Sequence, residues 1–265
     1  MAWVYDQIID LERVAARHWR GTEEEWLGGW LLRAADGFTG RANSVLPLGD
    51  PGLPLDSALE TVVGWYQDRS LPPMIAVPTL LEADSPGHEF DQFLMERSWE
   101  TRPGPAFVMV ADLSDDASPL RDYALAELPG RAKFRVETEP DHGWLAAYHY
   151  RGQDRQPPVM RTVLTSAPAQ VFASIRADDD VLAIARLSIA DGWAGITAVE
   201  VHPSQRRAGL GRALTGAVCA EALKRGISRV FLQVETGNAA AIALYKQCGF
   251  QLSHRYHYRV APPPI

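Results

Sequence analysis

One short segment restricts the fold of this chain more than any other. Arg206-Arg207-Ala208-Gly209-Leu210-Gly211 follows an apolar strand that ends at His202-Pro203, and it opens a helix. About one helix and one strand later comes Asn238-x-x-Ala241-x-x-Leu244-Tyr245-x-x-x-Gly249-Phe250. A glycine turn at the head of a helix aims backbone N–H groups and the positive helix end at one point, which suits a phosphate. It is not a nucleotide P-loop, because Arg212-Ala213 stands where Lys-Ser/Thr would follow the last glycine. It is not a dinucleotide fingerprint either, because Leu214 stands where a further glycine is needed. What gives the segment weight is its setting: strand, glycine turn, helix, strand, Asn-led helix, Gly-Phe, strand.

That order, with Arg206, Gly209 and Gly211 in an Arg/Gln-x-x-Gly-x-Gly/Ala pattern, resembles the GCN5-related N-acetyltransferase (GNAT) family. The likeness is clear over 193–258 and extends over 120–265. It implies an α/β fold on a mixed sheet and acetyl-CoA as co-substrate, with no metal. It also implies transfer of the acetyl group to a primary amine by direct attack in a ternary complex. On this resemblance the N–H groups of Arg207, Ala208, Gly209, Leu210 and Gly211 face the pyrophosphate, with Arg206, Arg207 and Arg212 adding charge. Glycine at 209 and 211 avoids a Cβ that would block close approach. Val199 and Val201 lie on the strand beside the pantetheine arm, and Asn238 and Ala241 lie at the other helix start. Two other readings stay open: an acyl-CoA-binding sensor without turnover, and a transferase of a longer acyl group.

Amide formation from a thioester needs a neutral amine and a protonated leaving thiol. A lysine-type amine has a pKa of ~10.4, so only about one in a thousand is nucleophilic at neutral pH. A base is therefore expected. Strand alternation puts Thr197, Val199 and Val201 on one face and Ala198, Glu200 and His202 on the other. Glu200 is the first candidate base, and the resemblance supplies its role as a proton relay through water; His202, at the strand end, is the second. Tyr245 matches the family tyrosine that donates to the departing sulfur; the competing reading is an aromatic that packs the helix beside Ala241. Asn238 is both an N-cap and a hydrogen-bond partner for CoA. Trp144, Tyr148, His149 and Tyr150 fall where the family builds the acceptor wall, although aromatic residues on a helix are more often core.

The first half repeats the rhythm of the second: helix, hairpin, helix, strand, helix, strand. A tandem GNAT-like chain is expected, with residues 1–113 a degenerate N-terminal domain and 120–265 the catalytic domain. The linker is Leu113-Ser-Asp-Asp-Ala-Ser-Pro119. The layout resembles the two-domain GNAT proteins common in actinomycetes. At the matching turn the first half reads Leu48-Gly49-Asp50-Pro51-Gly52-Leu53-Pro54, where prolines lack N–H donors and Asp50 repels phosphate. No CoA is expected there. Strands are expected at Trp26–Ala35 and Phe38–Leu46, joined at Asp36-Gly37. Arg41 and Asn43, on the second of them, reach the cleft if the halves pack face to face; the other reading is hairpin surface.

The net charge of −7 argues against a nucleic-acid or anionic-membrane partner. The two cysteines, Cys219 and Cys248, read as reduced and packed, with no zinc spacing. Without a leader or a membrane-length apolar run, the protein is expected to be cytoplasmic, a monomer or homodimer, with the amine acceptor unidentified.

Overall fold

The computed structural model describes residues 2–81, 86–114, 119–120, 128, 131–149 and 157–263. The first half runs α1 (Ala2–His18), β1 (Glu23–Leu27), β2 (Trp30–Ala34), β3 (Leu46–Pro47), α2 (Leu55–Gln67), β4 (Met74–Thr79), α3 (Pro86–Glu96) and β5 (Glu100–Asp112). The second half begins with β6 (Lys133–Glu137), α4 (His142–Ala147) and α5 (Val159–Leu164). It continues with β7 (Ala169–Ala177), β8 (Asp180–Ala190), β9 (Trp193–Val201), α6 (Leu210–Lys224), β10 (Arg229–Glu235), α7 (Ala239–Gln247) and β11 (Gln251–Val260).

The internal repeat is plain in this order: β1-β2-β3-α2-β4-α3-β5 answers β7-β8-β9-α6-β10-α7-β11. Its sheets are not separate. Eight strands form one sheet in the order β4-β11-β5-β10-β9-β8-β7-β6. Each repeat's last strand is inserted beside the other repeat: β5 pairs antiparallel with β10, and β11 pairs antiparallel with β4. The two exchanged strands pair with each other where the repeats meet. Residues 1–113 and 120–265 therefore share a sheet, and β5 lies inside the part that carries β6 to β10. In each repeat the strands flanking the first long helix run parallel: β9 with β10, and Val45 before β3 with Ile75 in β4.

The first hairpin differs from the expectation. β2 pairs backward with β1 through Gly28-Gly29, and Phe38–Leu46 is not a strand. Glu23, Glu24 and Glu25 disguise β1 as a solvated loop. They suit an edge strand, where charge deters further pairing, and Glu25 also accepts the Trp65 indole N–H at 2.6 Å. Asn43 organises the segment after β2: its Oδ1 accepts N–H from Ala35 and Gly37, and its Nδ2 donates to the Phe38 and Thr39 carbonyls.

α6 shows why the second half was readable. Leu210, Leu214, Val218 and Ala222 recur on one face and are buried. Each large apolar side chain contributes roughly 1.5–3 kcal/mol on burial. Gly226, at φ 77°, ends the helix while Ile227 N–H returns to the Ala222 carbonyl. α6 and α7 cover one face of the sheet; α1, α4 and α5 cover the other. Among the described residues no helix is long and apolar enough to cross a membrane.

Candidate functional site

The site is built where β9 leaves β10. Their parallel pairing covers Trp193 to Ile196 and stops at Leu232. The cause is a bulge: two residues of β9, Ala198 and Val199, stand against one of β8 between the pairs Arg186↔Thr197 and Ile184↔Glu200. Ala198 holds φ 52°, a conformation that costs most side chains energy. His202 N–H bonds the Leu182 carbonyl on the β8 side. By antiparallel alternation the backbone groups of Val199 and Val201 then face the open wedge. The bulge also corrects the simple alternation. Thr197 lies on the Arg186 face, hydrogen-bonded to it at 3.4 Å, whereas Val199 and Val201 pack towards α6.

Beyond β9 the chain makes a short 3-10 turn, Pro203–Gln205, and then a corner. Arg206 (φ −67°, ψ 153°) and Arg207 (φ 64°) have type II geometry, and Gly209 caps α6 at φ 82°. The N–H groups of Gly209, Leu210 and Gly211 have no acceptor among the described residues. Arg206 Nε donates to the Val201 carbonyl at 3.3 Å, which folds the loop against the wedge. Arg212 donates to Gln247 on α7 at 3.1 Å. The cradle fits a phosphate by donor chemistry. Glycine is needed at 209 for its backbone angle. At 211 a Cβ would find ordinary contacts, 3.5 Å from Leu244 and 3.8 Å from Val201, so steric demand does not set that residue here.

Those contacts bring α7 to the same place. Asn238 caps α7 through Oδ1, which accepts Ala241 N–H at 3.1 Å. Its exposed Nδ2 has no partner among the described residues. Tyr245 is buried at 6% exposure and packs on Phe250 at 5.9 Å. Burial pushes its phenol pKa up, and its hydroxyl has no hydrogen-bond partner among the described residues. Cys248 is raised to about 11 by burial, and Cys219 is raised likewise, so both thiols are protonated and inert.

A cleft of about 490 Å³ runs along the other side of β9, lined by Glu200, His202, Arg206, His149, Ala147 and Leu182 among others. Glu200 accepts the backbone N–H of His149 at 2.6 Å. Burial raises its pKa, with His149 acting against the rise. His202 is exposed and hydrogen-bonded to Ser204 at 2.8 Å. Trp144 is core: its indole donates to the Ala173 carbonyl at 3.0 Å and packs on Phe172. Tyr148 is buried beside it, and Tyr150 lies outside the described residues. Among the described residues no group of three His, Cys, Asp or Glu could hold a metal ion.

Arg41 reaches the second half, donating to Gln233 on β10 at 2.8 Å. Asn43 does not reach the cleft, because all its polar atoms serve its own loop. The residue missed from sequence is Arg186, wholly buried on β8. A lone arginine inside Leu182-Ala-Ile-Ala-Arg-Leu-Ser-Ile was its signal.

A family model described as probable histone acetyltransferase Rv0428c C-terminal matches residues 6–259. The probable histone acetyltransferase Rv0428c of Mycobacterium tuberculosis is 31% identical over 258 residues, covering 94% of this chain and 72% of that one. The uncharacterized N-acetyltransferase YobR of Bacillus subtilis is 27% identical over 263 residues, covering 96% and 99%. A solved GCN5-related N-acetyltransferase from Kribbella flavida superposes with a TM-score of 0.68 at 19% identity, covering 97% and 96%.

Proposed function

The chain belongs to the Rv0428c C-terminal family of GNAT-type N-acetyltransferases, and from that premise we propose that it acetylates a primary amine by direct attack in a ternary complex with acetyl-CoA. Acetyl-CoA supplies the activated acetyl group. The observation that carries the reading is the open wedge at the Ala198 bulge, which lies beside the N–H cradle of residues 209–211.

In this account residues 120–265 carry the reaction and 1–113 lend strands and the acceptor side. Arg206, Arg207, Ala208, Gly209, Leu210, Gly211 and Arg212 hold the pyrophosphate. Val199 and Val201 offer backbone groups to the pantetheine arm. Asn238 offers its free amide N–H, and Ala241 packs beneath. Glu200 takes the proton of the attacking amine through water; its raised pKa keeps it basic enough to compete for that proton near neutral pH. Tyr245, with a raised phenol pKa and a hydroxyl unengaged among the described residues, stays protonated and donates to the leaving sulfur.

The test is release of CoA thiol from acetyl-CoA across a panel of amines. Amine-dependent release supports the reading. Acetyl-CoA binding with no release over a broad panel supports a sensor instead.

A further inference from the structure

Arg186 is a buried cation with no anionic partner among the described residues. Its side chain is fully enclosed at 0% exposure. Nε donates to the Leu164 carbonyl at 2.5 Å, and one terminal nitrogen reaches Thr197 Oγ1 at 3.4 Å. The other terminal nitrogen has no hydrogen-bond partner, and Arg186 forms no ion pair among the described residues. A buried charge is ordinarily paired or neutralised. Burial, and then the charge of Arg41, lower the Arg186 pKa to about 9.

Arg41 makes the arrangement harder to explain as packing alone. It comes from the other repeat, and both guanidiniums stand over the Trp19 indole, 4.6 Å and 5.3 Å from its ring centre. Two like charges on one ring repel. Arg41 also lines a small pocket of about 110 Å³ with Gln233, Glu235, Tyr256 and Tyr258.

The position is the apex of the wedge. Arg186 faces Thr197, one residue before the bulge, and Gln233 follows Leu232, the last residue of β10 paired to β9. Both lie on the sheet face away from α6. A ligand anchored there would present its remaining atoms towards the place where β9 and β10 part.

We infer that the acceptor amine carries a carboxylate, which Arg41 binds directly and the buried Arg186, beside the same indole, attracts without touching. The acceptor class is then a free amino acid or a similar amino-carboxylate, not a lysine side chain within a protein. The inference rests on the acyl-transfer reading for its orientation, although the anion site itself does not.

The experiment uses the full chain and two readouts. The first compares kcat/KM for the common amino acids with that for their α-amides, in wild type, Arg41→Gln and Arg41→Lys. Acids should exceed amides by at least about tenfold, as expected where a built polar contact is removed. The preference should vanish in Arg41→Gln and largely return in Arg41→Lys, while acetyl-CoA affinity holds in both. Equal use of acids and amides overturns the inference. So does a preference that survives Arg41→Gln, or acetylation confined to lysine peptides. The second readout needs no turnover: N-acetylglycine should raise the melting temperature of wild type but not of Arg41→Gln, and N-acetylglycinamide should raise neither. Absence of a carboxylate-specific shift in wild type overturns the anion site. If acetyl-CoA does not bind at all, the acyl-transfer reading fails, and this second readout still decides the anion site by itself.

Discussion

Gly29 donates its backbone N–H to the carbonyl of Asp50 at 2.6 Å. This bond seats the turn of the first hairpin on the loop that corresponds, in the second repeat, to residues 203–209. The approach is so close that a Cβ on Gly29 would stand 2.7 Å from Gly49, and one on Gly28 would overlap the Pro51 backbone. Leu48 N–H is taken by the Gly29 carbonyl and Gly52 N–H by the Asp50 side chain. Prolines at 51 and 54 offer no N–H at all. Pro54 thus stands at the cap position that Gly209 holds in the second repeat, so that donor is lost, while the N–H groups of Leu55 and Asp56 at the head of α2 keep no acceptor among the described residues and the Asp56 carboxylate places negative charge beside them. A pocket of about 630 Å³ lies beside it, lined by Trp30, Leu48, Asp50, Leu53, Leu55 and Phe90 among others.

Tyr245→Phe should lower kcat by roughly 10²-fold, the size of a lost general-acid contribution. KM for acetyl-CoA should change little, because the hydroxyl is used as the thiol departs. The melting temperature should hold, since the hydroxyl bonds nothing among the described residues. Thiol release and a melting curve check both parts; an unchanged kcat reduces Tyr245 to packing.

Glu200→Gln separates chemistry from stability. Burial raises the Glu200 pKa in the folded protein above that of the unfolded chain. Its contribution to stability is therefore fully present below the unfolded value and is lost as pH rises through the folded value. At pH 7 the glutamine protein should melt no lower than wild type, because Gln can still accept the His149 N–H. Its rate should fall by roughly 10²-fold or more, with loss of the acid limb of the pH–rate profile. A normal profile in Glu200→Gln would move the base to His202 or to solvent.

Asp91 ties α3 to the exchanged strand β11. Its carboxylate accepts from His257 at 2.7 Å and from Arg259 at 2.7 and 3.0 Å. Burial pushes its pKa up, but the bonds from His257 and Arg259 outweigh it and hold the group well below the usual carboxylate range. The stability it gives is present above the unfolded carboxylate pKa and is lost as pH falls through the folded value. Asp91→Asn should cost about 2 kcal/mol at pH 7, as for a hydrogen bond to a charged group. The deficit should shrink in strong acid. Equal denaturation midpoints at pH 7 would show that the exchange does not depend on this clamp.

Much of the second repeat was legible because local signals agreed. Apolar residues at helical spacing, Asn238 as a cap, Gly226 as a stop and Gly209 as a left-handed turn each point to the element that forms. The rest depends on long-range pairing. Nothing near β5 announces that it will leave its own repeat and pair with β10. Three glutamates hid β1, because an edge strand tolerates charge that an inner strand does not. The bulge at Ala198 was hidden for a different reason: one residue in a left-handed conformation reverses the facing of Thr197 while leaving composition untouched. Glu200 was placed on the correct side of that bulge. Arg41 was named but its partner was not, since Gln233 lies 192 residues away.

The central claim is that acetyl-CoA binds once per chain, at the cradle of the second repeat. Calorimetric titration of acetyl-CoA into the full chain tests it, with Gly209→Val and Gly52→Val in parallel. These two glycines are matched in backbone strain, at φ 82° and 76°, and each has open space around it. The account predicts one site per chain in wild type, its loss in Gly209→Val, and near-wild-type affinity in Gly52→Val. Two sites per chain, or binding lost in Gly52→Val and kept in Gly209→Val, would contradict it.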